Sequence, residues 1–524
     1  MKKLIDLIHS KPLVSIILLA LALRLVAVFF SQGYGMHDDH FLVIEPAQSW
    51  VDGIDFDNWL PKHQTELSAG HSFIYPGIHY FVFEIFKHAG ISDPSIKMYL
   101  IRLFHALWSL IVVVLGFKMA DKLYNRKSAI QVGVLLATLW FMPFLSIRNL
   151  VEMAAIPFLM IGTWMIMNAE AKKNILLTYF LAGLILGISF SFRYQSIIFA
   201  GGIWLVVLFS KKWKESIVLG LGIIISLLLF QGLVDYLLGA RPFDEIVKYV
   251  SYNMRMKDVY GTKNVLMYVE LVPGMLLPPV GLFLFWGFFY KWKKYLLLFL
   301  PTFLFFLFHS IFPNHQERFI LTIVPFIVIL GVMGWNEFAE KSKYWLKRPK
   351  LLKGCFVFFW SLNILLLIFT TTCYSKRARV ETMIYLSQYK NEINNIVLEE
   401  SNHDGVDMLP VYYMGKWINV FELGKPSDSW RKDTAMIVSE RSVNRVINKI
   451  EYFKDCPKNQ KPQYVCFGGD WNLAHRIANV KTVFPQLSFD TAIQPGLVDR
   501  VMLKLNPKNN RNNPIYIFKT NIKR

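Results

Sequence analysis

Cysteine, charged residues and zinc-type spacings are all scarce in this sequence. Its 524 residues contain four cysteines, too few for a disulfide-stapled scaffold, and no Cys/His spacing matches a structural zinc site. Charged residues make up only 18% of the chain, against roughly 25% in soluble globular proteins. No Asn-x-Ser/Thr acceptor occurs, although the region after Tyr374 is rich in asparagine. Internal repeats are not visible either.

What fills the space is apolar. Hydrophobic residues reach 54% and the mean hydropathy is +0.36, so the chain reads as a polytopic α-helical membrane protein. A span needs about 20 apolar residues, and by that criterion about eleven candidates follow: 13–30, 97–117, 129–147, 153–168, 176–192, 196–210, 217–238, 267–290, 295–312, 319–337 and 353–373. The apolar runs stop near residue 373. Two domains are expected, 1–373 in the membrane and 374–524 outside it.

A formal net charge of +20 could signal a nucleic-acid binder, but its placement says otherwise. Lysine and arginine cluster in short loops such as "KMADKLYNRK" (118–127), "SKKWKE" (210–215) and "EKSKYWLKRPK" (340–350). If the N-terminus is cytoplasmic, counting spans puts every such cluster on the cytoplasmic side, as the positive-inside rule requires. No basic stripe interleaved with aromatics is present, so nucleic acid is not an expected partner; the lipid bilayer is. "MKK" followed by an apolar run resembles a signal peptide, but no small-residue cleavage site follows, and a retained first helix is expected. The missing glycosylation acceptor favours a bacterial plasma membrane over a eukaryotic ER membrane.

The same count places "MHDDHF", "SIRNLVE" (146–152), "FRYQ" (192–195), "FPNHQERF" (312–319) and the region after Tyr374 on the outer side. Titratable residues gather there. "HDDH" sets Asp38 and Asp39 between His37 and His40, just beyond the first span. Adjacent residues diverge on a helix and alternate on a strand, so only one of the two carboxylates is expected to face a given site. Taken alone, such a stretch is a solvated loop. Against that, the following segment is rich in aromatics, as interfacial segments are, and Arg148, Glu152, Arg193, His315, Glu317 and Arg318 stand at other outer ends. Each of those cations by itself is more often a snorkelling residue than a ligand. Arg24 is different, being a charge inside the first apolar run, where a structural ion pair and a role near a lipid phosphate are both open.

"LRLVAVFFSQGYGMHDDHFLVIEPAQSWVDG" resembles the first helix and first outer loop of the GT-C membrane glycosyltransferases, and within them glycosyltransferase family 22, the lipid-phosphate-mannose-dependent mannosyltransferases. His37, Asp39, Glu45, Pro46 and Ala47 match in register, "SFIYPG" supplies Tyr75, Pro76 and Gly77, and "NHQERF" resembles a late-span signature through Arg318 and Phe319. The match departs at Asp38, where the family has proline, and at His40, where it has glutamate.

The resemblance implies an inverting transfer of a hexose, mannose first, from a polyprenyl-phosphate sugar to a glycan or glycolipid acceptor on the outer face. Asp39, or its neighbour Asp38, on the loop 31–96 is the implied general base. His37, Glu45, His71, Tyr75, Arg148, Arg193, His315, Glu317 and Arg318 are the candidate substrate contacts. Four consecutive residues cannot converge on one ion without contorting the backbone, so no metal is expected, and no cofactor is called for.

After Ser375 the chain alternates a helical stretch, "RVETMIYLSQYKNEINNIVLEE", with apolar segments read as strands, "VDMLPVYYM", "AMIVSE", "QYVCFGG" and "PIYIFK", giving an α/β or α+β domain. "FGGDW" is weak as a phosphate loop and more readily a turn. Cys456 and Cys466 are either a disulfide or two separate thiols. Two other functions remain open: a transporter or lipid-linked glycan flippase, and a GT-C transferase for aminoarabinose, arabinose or an oligosaccharide.

Overall fold

The computed structural model describes residues 10–56, 58–63, 70–257, 264–400, 408–424, 444–447, 449–507, 510 and 512–522. The expected strand "AMIVSE" lies outside them. The chain divides into two compact units: one comprises Met1–Phe30, Ala69–Tyr75 and Ile101–Thr372, the other Ser31–Ser68, Pro76–Leu100 and Cys373–Arg524.

The first unit is helical. Among the described residues six helices are long and apolar enough to cross a membrane: Pro12–Phe30, Pro94–Leu123, Ile175–Phe192, Trp213–Leu237, Glu317–Lys341 and Pro349–Thr371. Four shorter apolar helices accompany them, Val151–Met167, Ser196–Phe209, Val280–Phe289 and Leu296–Ile311. Two runs expected as continuous spans are broken instead. The run 129–147 splits into Arg126–Thr138 and Met142–Ser146, with Pro143 in the first turn of the second piece. The run 267–290 splits into Met267–Met275 and Val280–Phe289 around "LLPP". Proline lacks the N–H that would continue the ladder.

A broken helix in an apolar setting exposes backbone groups that must find partners. At the first break they find Asn363. Its Oδ1 accepts the N–H of Trp140 at 3.0 Å and its Nδ2 donates to the carbonyl of Thr138 at 2.8 Å, while the Thr370 hydroxyl donates to the carbonyl of Trp140. Elsewhere the helices approach through glycine. A Cβ on Gly334 would sit 2.0 Å from the carbonyl oxygen of Gly287, the close backbone contact that small residues permit between membrane helices.

Arg24 is fully buried in Pro12–Phe30 and is held by hydroxyls and carbonyls rather than by a carboxylate. Nε donates to Ser109 Oγ at 2.7 Å, and the terminal nitrogens donate to Ser146 Oγ and to the carbonyls of Ala20 and Leu136. Of the two readings left open for it, the ion pair has no counterpart among the described residues.

The second unit contains a six-stranded mixed sheet: β1 (Asn395–Glu400), β2 (Asn419–Gly424), β3 (Asn444–Ile447), β4 (Tyr464–Gly468), β5 (Ser488–Ile493) and β6 (Ile515–Lys519), in the order β3-β2-β1-β4-β6-β5. β1 to β4 pair parallel, and β6 runs antiparallel to both β4 and β5. Val397, Phe421, Phe453, Val465, Phe467 and Phe518 are among its core residues.

Two readings of this part are corrected. Within "VDMLPVYYM" the described residues, 408–414, form no strand: Val411–Met414 is a 3-10 turn after Pro410. The long helical stretch ends at Ser387, and "NIVLEE" becomes β1, as its β-branched residues favour. The "FGG" turn is filled by Arg476, which donates to the carbonyls of Gly468 and Gly469 and pairs with buried Glu399, so the turn is structural. Cys456 and Cys466 are separate thiols, and burial pushes that of Cys466 up to about 12.

Candidate active site

In the second unit the "HDDHF" stretch forms a short helix, His37–Phe41. It turns its residues to different surroundings. His37 is exposed and stacks on Phe41, Asp38 is half-buried, and Asp39 is buried. The Asp39 carboxylate accepts the N–H of Gly35 at 2.8 Å through Oδ2 and that of Met36 at 3.1 Å through Oδ1. This is one half of a capping box, in which the third helical residue reaches back to the cap. These two backbone donors fix the orientation of the carboxylate.

His40, one of the two departures from the family pattern, is buried between two aromatic rings. It stacks on Tyr34 at 5.1 Å and on Tyr413 at 5.5 Å. Its Nε2 lies 3.4 Å from Glu45 Oε1, which also accepts the N–H of Tyr412 at 3.0 Å. Burial pushes the His40 imidazole down to about 3, against the pull of the Asp39 charge. Burial likewise pushes Glu45 up to about 8, opposed by the N–H groups of Tyr412 and Val411. Burial thus favours the uncharged form of each, an imidazole facing a carboxylic acid, because a charge on either would lack solvent. Glu45 is turned inward to hold the 411–414 turn.

In the first unit the cationic candidates gather around Glu152, which sits in the first turn of Val151–Met167, where the helix dipole favours an anion. Arg193 Nη1 donates to Glu152 Oε1, and Arg318 Nε lies 3.9 Å from the same oxygen. Arg193 Nε and Nη2 are buried with no hydrogen-bond partner among the described residues. Arg148 is buried with its guanidinium 4.6 Å from the Phe144 ring centroid. Glu317 is exposed and His315 is committed to its own loop: Nδ1 lies 2.8 Å from the carbonyl of Pro313 and Nε2 3.0 Å from that of Ser310.

His71 donates its backbone N–H to Glu245 Oε2 at 3.1 Å. Tyr75 hydrogen-bonds His105 Nε2. His105 Nδ1 lies 2.8 Å from the carbonyl of Ile101, an obligate acceptor, so the proton is on Nδ1 and Nε2 accepts the tyrosine hydroxyl. Neither His105 nor Glu245 was singled out in the sequence. A lone histidine inside an apolar span carries a signal of its own, whereas Glu245 offered none. Among the described residues no cluster of three or more His, Cys, Asp or Glu is placed to hold a metal ion.

Comparison with solved structures places the fold. The crystal structure of ArnT from Cupriavidus metallidurans bound to undecaprenyl phosphate is similar with a TM-score of 0.63 and 14% identity, over 96% of this chain and 97% of that one. The apo state of the same protein gives a TM-score of 0.63 and 14% identity over 97% and 98%. At that identity the likeness is one of fold, the GT-C architecture. Among curated proteins no sequence matches. The family model described as the Alg9-like mannosyltransferase family matches residues 15–417, from the first span through the Val411–Met414 turn and on to Trp417. This chain belongs to the Alg9-like mannosyltransferase family, glycosyltransferase family 22, and is a multi-pass membrane glycosyltransferase.

Proposed function

We propose that this protein transfers a mannose residue from a polyprenyl-phosphate donor to a glycan or glycolipid acceptor at the outer face of a bacterial plasma membrane, inverting the anomeric carbon. The observation that carries the reading is the buried Asp39 carboxylate, oriented by the N–H groups of Gly35 and Met36 directly after the first span. A lipid-borne phosphate keeps its sugar at the bilayer surface, and a base for such a reaction must stand on a loop that has just left the membrane. The family name supports mannose, and the undecaprenyl phosphate bound to a protein of similar fold supports a polyprenyl carrier.

In this reading Asp39 takes the proton of the acceptor hydroxyl as its oxygen bonds to the sugar C1. The C1–O bond to the phosphate breaks on the opposite face, and the polyprenyl phosphate leaves with the electron pair. Developing charge on that phosphate needs fixed donors, usually the largest catalytic contribution. Arg193, with two buried donors unspent among the described residues, is the first candidate, and Arg318 and Arg148 the next. Glu152 holds Arg193 in place. The loop 31–96 and residues 374–524 are assigned to the outer side by the positive-inside count.

Purified protein, labelled polyprenyl-phosphate sugars and a membrane lipid extract test the reading together. Label from the mannosyl donor is expected to move, and its movement is expected to be lost in Asp39→Asn. A folded Asp39→Asn protein that transfers at the original rate removes the assignment, and movement of another sugar in preference to mannose corrects the donor.

A further inference from the structure

The second unit holds a cavity of about 260 Å3 whose walls include Gln48, Asp52, Lys87, Lys97, Tyr412 and Trp417. Asp38 and Asp39 are not among its lining residues, so it is separate from the proposed base. Its most informative residue is Lys97, only 6% exposed. The ammonium makes one hydrogen bond, to the neutral amide oxygen Gln48 Oε1 at 2.8 Å, and lies 5.7 Å from the centroid of the Phe83 ring. Among the described residues two of its three N–H donors are unspent.

That placement runs against two electrostatic preferences. Buried charges are normally paired with an opposite charge, and a cation is disfavoured in the first turn of a helix, where the dipole is positive. Lys97 stands in the first turn of the 30-residue helix Pro94–Leu123. The carboxylate in the cavity wall, Asp52, is already engaged, accepting Gln48 Nε2 at 3.1 Å and Trp417 Nε1 at 2.8 Å. Lys87 adds a second ammonium on the same wall, tethered to the carbonyl of Val51 at 2.7 Å. Lys416 contributes its stem alone, since its three donors go to the carbonyls of Lys390 and Ile393 and to Asn394 Oδ1.

From this geometry we infer that the cavity is a subsite for an anionic sugar unit of the acceptor, a hexose carrying a phosphate monoester or a carboxylate, with Lys97 and Lys87 binding the anion. The volume lies just under the roughly 300 Å3 lower bound of ordinary ligand pockets, which suits one sugar ring and not an oligosaccharide. Gln48, Asp52 and the Trp417 ring give hydroxyls and a sugar face something to meet. The inference rests on the transferase reading above and names the chemistry of its acceptor.

The test is direct binding to the full chain in nanodiscs of neutral lipid, without turnover, using mannose, mannose 6-phosphate, glucuronate and inorganic phosphate. Mannose 6-phosphate or glucuronate is expected to bind at least about 10-fold more tightly than mannose and than inorganic phosphate. Lys97→Gln is expected to weaken it by roughly 10- to 100-fold, the worth of one charged hydrogen bond, and Lys97→Arg to retain most of it. Should Lys97→Gln fail to fold, Lys87→Gln at the more exposed position is the second variant, with a several-fold loss expected. Equal binding of mannose and mannose 6-phosphate, equal binding of phosphate alone, or indifference to the lysine variants overturns the inference. So does displacement of mannose 6-phosphate by undecaprenyl phosphate, which would assign the cavity to the carrier. Because no transfer is measured, the cavity can fail while the Asp39 reading stands, and the reverse.

Discussion

Glu45 Oε1 accepts the backbone N–H of Tyr412 at 3.0 Å, joining two stretches 367 residues apart in the sequence. Both the carboxyl and the His40 ring beside it are buried, and this pair gives the protein a distinctive pH response.

Glu45 has its pKa raised from 4.5 to about 8 in the folded protein. The folded state therefore holds a proton that the unfolded state has lost, and stability falls as pH rises towards 8. His40 is lowered from 6.5 to about 3, so its contribution is present above 6.5 and is lost as pH falls towards 3. Between 4.5 and 6.5 the two oppose each other. Thermal stability in detergent is expected to fall from pH 6.5 to 8, and Glu45→Gln to flatten that decline; an unchanged slope in the variant would assign the response elsewhere.

Asp39 and Asp38 are neighbours with different surroundings, one buried and clamped, the other half-exposed. Asp39→Asn is expected to lower transfer by roughly 100- to 10,000-fold, the usual range for a general base. Asp38→Asn is expected to stay within several-fold of the original rate. Initial rates with the mannosyl donor, beside unfolding curves for both variants, check the assignment.

Arg193 and Glu152 are buried together. Arg193→Met leaves the buried Glu152 carboxylate with the more distant Arg318 alone and is expected to cost at most about 3–5 kcal/mol. Adding Glu152→Met to it is expected to recover much of that stability but not the transfer rate, if Arg193 binds the leaving phosphate. Denaturation and activity measured on the single and double variants separate the two roles.

Asn363 satisfies two backbone groups at the break after Thr138. Asn363→Ala leaves both unpaired in an apolar setting and is expected to destabilise by about 1–3 kcal/mol for each group. Asn363→Asp keeps an acceptor for Trp140 but loses the donor to Thr138. Thermal melts of the three proteins measure the difference.

Much of the architecture was legible in the sequence because burying apolar surface in lipid leaves a simple record. Runs such as "LVSIILLALALRLVAVFF" have one stable disposition, and the helices Pro12–Phe30 and Pro349–Thr371 stand where hydropathy puts them. Where a run was interrupted by "MP" or "LLPP", hydropathy averaged over the prolines and missed the breaks. The first-loop motif was legible as well, since "HDDHF…EPA" is a local pattern, and "YVCFG" and "IYIFK" showed their strands through their composition.

Tertiary structure decided what no local pattern carries. Which of two adjacent carboxylates is buried depends on the turn of one short helix against its surroundings, and Gly35 and Met36 settle it for Asp39. Glu45 was expected as a substrate contact, and the structure turns it inward to the N–H of Tyr412; Lys97, which no motif marks, is buried with a neutral partner. Hydropathy is a sum over neighbours in sequence, whereas desolvation and pairing are set by neighbours in space, so the spans belong to the first and the chemistry of individual charges to the second.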